Sequence, residues 1–291
     1  MWESTFRSTR DFGMPEPSQF RIIPERDELD QIQRDLKFIP STNRQPTTLS
    51  LTDIQSFNQC GYLRPLPALD APEIDDLRTY FDDLLERVLA SGGNSYSIST
   101  AHLKYGRVYD LLNHAAIVAP IRDLLGNDVI GWGSHFFCKM PGDGKHVAWH
   151  QDASYWPMTP SKTATVWLAI DDADTENACM QFLPRSHLHG HLPYHLTEDS
   201  GDNVLNQRVD DTARFGPPVD NVLSAGQMSI HSDLLLHGSQ ANHSHRRRCG
   251  LTLRYCTPDV RTGSGWSSKG VVVSGQDSTG YWGNPPRPTQ D

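Results

Sequence analysis

The apolar pattern of the chain changes period once, near residue 129, and that change limits the architectures open to it. Before it, Ile74, Leu77, Tyr80, Phe81, Leu84, Leu85, Val88 and Leu89 recur every 3.6 residues, with Pro72 near the start and Gly92-Gly93 as a stop. This spacing predicts a helix over 72–89. Thr52-Asp53-Ile54-Gln55 reads as a capping box opening a shorter helix that Gly61 ends, and a third helix is expected over 114–125, closed by Gly126. After the change, segments 129–139, 147–151, 163–171, 179–183, 222–230 and 251–257 are rich in β-branched and aromatic residues, with turn formers between them. Helices first and many short strands after predict an α+β, mainly β chain whose second half is a sandwich or barrel.

The flanks differ from this centre. Residues 1–48 are polar and dotted with proline; one short helix is expected over 27–38, and the segment reads as an N-terminal extension or lid. Residues 49–260 are expected to form a single domain. Residues 261–291, rich in Gly, Ser and Pro, read as a C-terminal tail with a short strand over 271–273. The chain shows no internal repeat.

Composition excludes several roles. A net charge of −9 offers no basic stripe for nucleic acid, and the one dense basic cluster, Arg246-Arg247-Arg248, is short and reads as a turn. No apolar run approaches the roughly 18 residues of a membrane-spanning helix, and the N-terminus lacks the basic and apolar regions of a secretory signal. Five scattered cysteines with no C-x-x-C spacing indicate neither a zinc ribbon nor a disulfide framework, so a reducing cytoplasm is expected.

The thirteen histidines carry the functional argument. In Trp149-His150-Gln151-Asp152 the imidazole and the carboxylate are two residues apart. On a strand, alternate side chains share a face, so both can reach one metal. A third ligand completes the two-His, one-carboxylate set of ferrous oxygenases, and His231 and His237 both qualify, flanking Ser232–Leu236 with the same parity. A rival cluster, His187, His189, His191 and His195, has the density of a zinc site, but Gly190 and Pro193 mark it as a loop without acidic or thiol partners. Tyr155 and Trp156 bracket the H-x-D segment as candidates for a substrate pocket. Lys139, at a strand end before Pro141-Gly142, reads as a surface residue first and as one that reaches the pocket second.

Taken together and in order, these motifs resemble the phytanoyl-CoA dioxygenase family of iron(II)- and 2-oxoglutarate-dependent oxygenases. The resemblance runs from about residue 51 to 259. It is densest at Trp149–Asp152, Thr165–Ile170, Glu176–Met180, Pro184–His187 and His237-Gly238-Ser239, with Arg248 eleven residues after His237. It implies a double-stranded β-helix (a cupin-like jelly roll) with helices packed outside. It also implies metal ligands at His150, Asp152 and His237, a 2-oxoglutarate-anchoring arginine at Arg248, and supporting cosubstrate contacts at Gln151, Trp167 and Ser239. Arginine suits the distal carboxylate because its planar fork binds both oxygens; Arg246, Arg247 and Arg254 compete for the role, and the family spacing selects Arg248.

The implied activity is oxidation of an aliphatic C–H bond in a small organic molecule, a secondary metabolite among the options. Fe(II), 2-oxoglutarate and O2 take part, and succinate and CO2 are released. The related halogenases carry Ala or Gly in place of the carboxylate, so Asp152 implies hydroxylation or another oxidation. Two departures stand out: Ala178 and Arg185 occupy positions where the family usually has glycine, and Arg185 is a further candidate for the pocket. The alternative reading is a non-catalytic or differently metallated jelly-roll binding protein, for which an arginine anchor has no use.

Overall fold

The computed structural model describes residues 29–197 and 203–291. The first 28 residues of the expected extension, and the start of the helix expected over 27–38, lie outside the described residues. Leu29 and Asp30 are helical, but the helix stops there, short of the expected 38: residues 33–40 have no regular structure. Their backbone is committed to tertiary partners instead. Asp35 donates its N–H to Thr159 Oγ1 at 2.9 Å and accepts from Ser161 N at 3.1 Å, while Arg34 donates to the carbonyls of Ala153 and Trp156.

Four helices precede most of the strands: α1 (Leu51–Cys60), α2 (Ala71–Ala90), α3 (Gly106–Leu112) and α4 (Ala115–Leu125). In α2 both the start and the buried face are specified locally. Asp70 accepts the Glu73 N–H at 2.9 Å, and the Glu73 carboxylate accepts the Asp70 N–H at 2.8 Å. Ile74, Leu77, Tyr80, Phe81, Leu84 and Leu85 are buried, and Phe81 stacks on Phe136 with centroids 4.9 Å apart. Leu89, the last of the expected series, is exposed. α1 is capped by Ser50 rather than Thr52, because Asp53 closes the box with Ser50 in both directions. Gly61 ends it at φ 86°, where a Cβ would collide with His187 and Leu235. α3 was not expected, since seven residues are too few to display a helical period.

The strands are β1 (Tyr62–Pro67), β2 (Val129–Lys139), β3 (Val147–His150), β4 (Met158–Thr159), β5 (Thr163–Ala169), β6 (Gln181–Phe182) and β7 (His195–Leu196). They continue as β8 (Gln207–Arg208), β9 (Val219–Asp220), β10 (Gln227–Ser232), β11 (His237–Ser239), β12 (Arg248–Cys256), β13 (Arg261–Thr262) and β14 (Val271–Ser274). A six-stranded sheet has the order β1-β10-β5-β12-β2-β14, and a four-stranded sheet the order β3-β11-β6-β9. Strand alternation divides the larger sheet. Ala164, Val166 and Leu168 of β5 and Cys249, Leu251, Leu253 and Tyr255 of β12 join the helices in the main core. The opposite face, with Thr165, Trp167, Arg248, Thr252 and Arg254, turns to a cavity that the smaller sheet also lines. This is the jelly roll with outer helices that the sequence implies.

Two boundaries differ from the sequence reading. β10 starts at Gln227 rather than 222, because Gly226 turns the chain at φ 84° and Leu223 bridges Ala173 instead. β12 starts at Arg248 rather than 251, which takes that arginine out of the basic turn and into the sheet. Residues 261–291 include β13 on β4, β14 on β2 and the buried Trp282, and the Gln290 carbonyl accepts the Gly106 N–H at 2.7 Å. No helix among the described residues is long and apolar enough to cross a membrane.

Asp123 on α4 fastens the incoming chain to this frame. Its carboxylate accepts the N–H groups of Thr47, Thr48 and Leu49 at 2.7–3.1 Å. Burial opposes its ionisation, but these bonds outweigh it and hold the carboxyl below its usual value. Asp123→Ala is expected to lower unfolding stability by about 1–3 kcal/mol, because three donors lose their acceptor. A depressed carboxyl stabilises the fold above the unfolded value, near 4, and that contribution disappears as pH falls through the folded value. Urea unfolding of wild type and variant should therefore diverge at pH 7 and converge in acid.

Candidate active site

β3 and β11 pair with His150 directly opposite His237, so the register of two strands sets the two imidazoles side by side, centroids 4.1 Å apart. β3 ends at His150, and Asp152 opens a 3₁₀ turn over Asp152–Tyr155 rather than continuing the strand. Gln151 between them keeps an extended backbone (φ −112°, ψ 131°), so the alternation survives. Asp152 Oδ1 lies 3.9 Å from His150 Nε2 and 3.8 Å from His237 Nε2. Among the described residues, His150, Asp152 and His237 form the one group of three metal-ligating side chains with ligand atoms within 4.8 Å of one another.

The surroundings prepare each atom. His150 Nδ1 donates to the Ala148 carbonyl and His237 Nδ1 to the Leu235 carbonyl, both at 2.9 Å. A carbonyl only accepts, so each ring holds its proton on Nδ1 and turns the Nε2 lone pair to Asp152. Burial depresses both imidazoles, His237 most strongly, with its histidine neighbours adding to the effect, and keeps them neutral. Thr165 Oγ1 donates to Asp152 Oδ2 at 2.9 Å, leaving Oδ1 for a metal. Burial opposes ionisation of Asp152, but the His231 imidazole beside it and the charge of Arg254 outweigh it, and the carboxyl stays far below its usual range. Two neutral nitrogens and one carboxylate oxygen, each oriented by an outer partner, fit a ferrous ion with open positions.

The triad opens on a cavity of about 620 Å³. Arg248 lies at its side, 3% exposed, with its guanidinium 5.6 Å from the Trp167 ring centre and its Nε without a partner. Trp167 reaches it by crossing Gly250, where a Cβ would sit 2.1 Å from Trp167 Cζ2. The neighbouring arginines are engaged elsewhere: Arg246 pairs with Asp174 and Glu176, and Arg247 with Asp171 and Asp82. Lys139, expected at the surface, is fully buried opposite Arg248 and donates to the carbonyls of Lys145 and Gln240. Burial, reinforced by the Arg248 charge, lowers its ammonium to about 7.

A family model described as "Phytanoyl-CoA dioxygenase (PhyH)" matches residues 57–250, about two thirds of the chain. The chain belongs to the phytanoyl-CoA dioxygenase family. It is 28% identical over 189 residues to a "probable alpha-ketoglutarate-dependent hypophosphite dioxygenase" of Stutzerimonas stutzeri, covering 62% of this chain and 65% of that protein. It is 22% identical over 251 residues to a "probable phytanoyl-CoA dioxygenase" of Caenorhabditis elegans, covering 77% and 80%. Among solved structures, the non-heme monooxygenase ThoJ in its apo form superposes with a TM-score of 0.70 at 29% identity, over 81% of this chain and 88% of that one. Family and fold class thus agree with the expectation from sequence, and these relatives are themselves named as dioxygenases or a monooxygenase.

The site residues named from sequence divide into those at the cavity and those away from it. Trp167, Ser239, Tyr155, Trp156 and Arg248 line it with the triad. Gln151 does not: its amide donates to the carbonyls of Gly190 and Leu234 and accepts the Leu192 N–H, tying a loop to the back of the site. Arg185 does not either. It is exposed, at φ 71°, and opens the 3₁₀ turn Ser186–His189. Ala178 also has positive φ, 61°. Both positions hold the left-handed backbone that glycine enters freely, at a cost of roughly 1–2 kcal/mol for other residues.

His231 is not the third ligand by geometry. Its Nε2 lies 3.6 Å from Asp152 Oδ2, the oxygen that Thr165 already engages. The rival histidines disperse: His187 Nε2 contacts the Asn58 carbonyl, His191 Nε2 contacts Ser154 Oγ, and His189 and His195 are exposed. Sequence reasoning missed Thr165, although its parity with Trp167 on β5 was a usable signal.

Proposed function

We propose that the chain is an iron(II)- and 2-oxoglutarate-dependent dioxygenase that oxidises an aliphatic C–H bond of a small organic molecule, with release of succinate and CO2. The observation that carries this reading is the coincidence, in one buried cavity, of three converging ligand atoms and an unpaired arginine. A metal-binding module has no use for the arginine, and a dicarboxylate-binding pocket has no use for the triad. His150, Asp152 and His237 hold the metal. Arg248 holds the distal carboxylate of 2-oxoglutarate through its planar fork, with Ser239 and Trp167 shaping the walls. When bound, ferrous iron supplies activation of dioxygen coupled to decarboxylation of the 2-oxo acid. The protein excludes water with Tyr155, Trp156 and Trp167 and fixes the orientation of both carboxylates.

Asp152 takes the position that a metal-bound halide needs, so the product gains oxygen or loses two hydrogens. The scattered thiols, none of them in a disulfide, support a reducing cytoplasm as the place of action. The test is succinate release from 2-oxoglutarate under Fe(II) and O2 across a library of metabolites, with product mass measured in chloride and bromide buffers. Stimulated succinate release with a halide-independent product mass is expected. A halide-dependent isotope pattern would overturn the role given to Asp152.

A further inference from the structure

The proposed cosubstrate uses one end of the cavity and leaves the other end charged. Lys139, Arg248, Arg254 and Lys269 all line it, against Asp152 as the sole acidic residue among the described ones. Asp152 is committed to the metal and Arg248 to 2-oxoglutarate, whose two carboxylates are then both used. Arg254 stands six residues further along β12, about 20 Å at the usual ~3.4 Å rise. It faces the same cavity, and its buried Nε has no partner. Neither Arg254 nor Lys269 forms a direct ion pair among the described residues, and half-buried Arg254 meets only the charge of Asp152, which the metal is to neutralise.

This end is built to hold those cations. Arg254 pairs across the sheet with Gly133, where a Cβ would come within 3.2 Å of Arg254 Cδ, so the glycine clears the path of the side chain. The guanidinium lies 5.4 Å from the Trp156 ring centre, and Lys269 Nζ lies 3.5 Å from that of Trp266. Trp132 joins the two, edge-on to Trp156 at 4.7 Å and tilted on Trp266 at 5.6 Å. The result is an aromatic wall flanked by two cations near enough for the Arg254 charge to act on Lys269. On its other side Arg254 pairs with Thr165, whose hydroxyl holds Asp152. A ligand group held at Arg254 therefore lies beside the metal ligands.

We propose that the substrate is an organic oxyanion: an apolar, ring-sized body stacked on the Trp132–Trp156–Trp266 wall, with a carboxylate or phosphonate held by Arg254 and Lys269. This rests on the reading of Arg248 as the cosubstrate anchor. Ordered in this way, the acid group fixes the substrate and presents a neighbouring C–H to the triad.

The test uses full-length protein loaded with Ni(II) and saturating 2-oxoglutarate, and calorimetric titration with ω-phenylalkanoates of increasing length, their primary amides and the matching phosphonates. The expected result is at least tenfold tighter binding of an acid than of its amide. Arg254→Met with Lys269→Met should abolish that ratio, Arg254→Lys should keep part of it, and the affinity for 2-oxoglutarate should stay unchanged, which also certifies the fold. The acid that gains more between carboxylate and phosphonate names the anion. Equal binding of acids and amides, no binding of any acid, or a ratio that survives the double substitution would overturn the proposal. Lost 2-oxoglutarate binding in Arg254→Met would make the residue the cosubstrate anchor, which also overturns it. Arg248→Met separates the two readings. Intact 2-oxoglutarate affinity there would undo the cosubstrate assignment, while the acid-to-amide ratio is read independently in the same variant.

Discussion

Asp152→Ala is expected to eliminate turnover and to reduce Fe(II) affinity by more than the roughly 10–100-fold that follows loss of an outer partner. In the proposed metal site the carboxylate is the one anionic donor among three, and among the described residues no other acidic side chain lines the cavity to replace it. His150→Ala and His237→Ala should act alike, since each Nε2 is presented by a backbone carbonyl that accepts from the opposite ring nitrogen. Thr165→Val should be milder, within that 10–100-fold range, because it frees Asp152 Oδ2 to rotate without removing a donor. Anaerobic metal titration read by absorbance in the presence of 2-oxoglutarate measures all four. His231→Ala serves as the internal control. If it removes the metal while His237→Ala retains it, the third ligand has been assigned to the wrong histidine.

What could be read in advance followed from local rules. The 3.6-residue period over 72–89, the glycine stops at Gly61 and Gly126, and β2 over Val129–Lys139 depend on residues close in sequence, and all form as expected. The H-x-D pair was legible because two-residue parity holds even where the strand stops at His150. Less could be read where a residue's environment is decided across the sheet. Lys139 carries a charge and precedes Pro141-Gly142, so locally it belongs at the surface; pairing with Arg248 buries it. Arg246, Arg247 and Arg248 are chemically identical in sequence. The start of β12 separates them, sending the first two to acidic partners on the surface and the third inward.

The positions that break the family's glycine pattern show how far a motif carries. Arg185 and Ala178 were suspect because glycine there suggests positive φ, and both do adopt it, at 71° and 61°. The inference from backbone was sound; the inference that the Arg185 side chain enters the pocket was not. Side-chain direction at that position is set by the turn Ser186–His189, and it leads to solvent. Gln151 makes the same point from inside. Flanked by His150 and Asp152, it points the opposite way by strand parity and braces the loop at Gly190 and Leu192.

Arg248→Ala is expected to raise the 2-oxoglutarate requirement by roughly 30-fold to several-thousand-fold while leaving metal affinity near wild type. Loss of one member of a buried, charge-assisted pair costs about 2–5 kcal/mol, much of it from the carboxylate left without a partner, and each ~1.4 kcal/mol is tenfold. The site gives the residue no substitute. Arg246 and Arg247 are held by Asp174 and Asp171, and Lys139 is tied to two carbonyls. Arg248→Lys should recover only part of the affinity, because an ammonium is a point charge and does not offer a fork to both carboxylate oxygens. Steady-state kinetics in 2-oxoglutarate, with Fe(II) binding measured alongside, distinguish this from general damage: KM rises for the cosubstrate and the metal titration does not move. Were Arg254→Ala to show that signature and Arg248→Ala to lack it, the two ends of β12 would exchange roles, and the substrate would have to meet the Arg248 end instead.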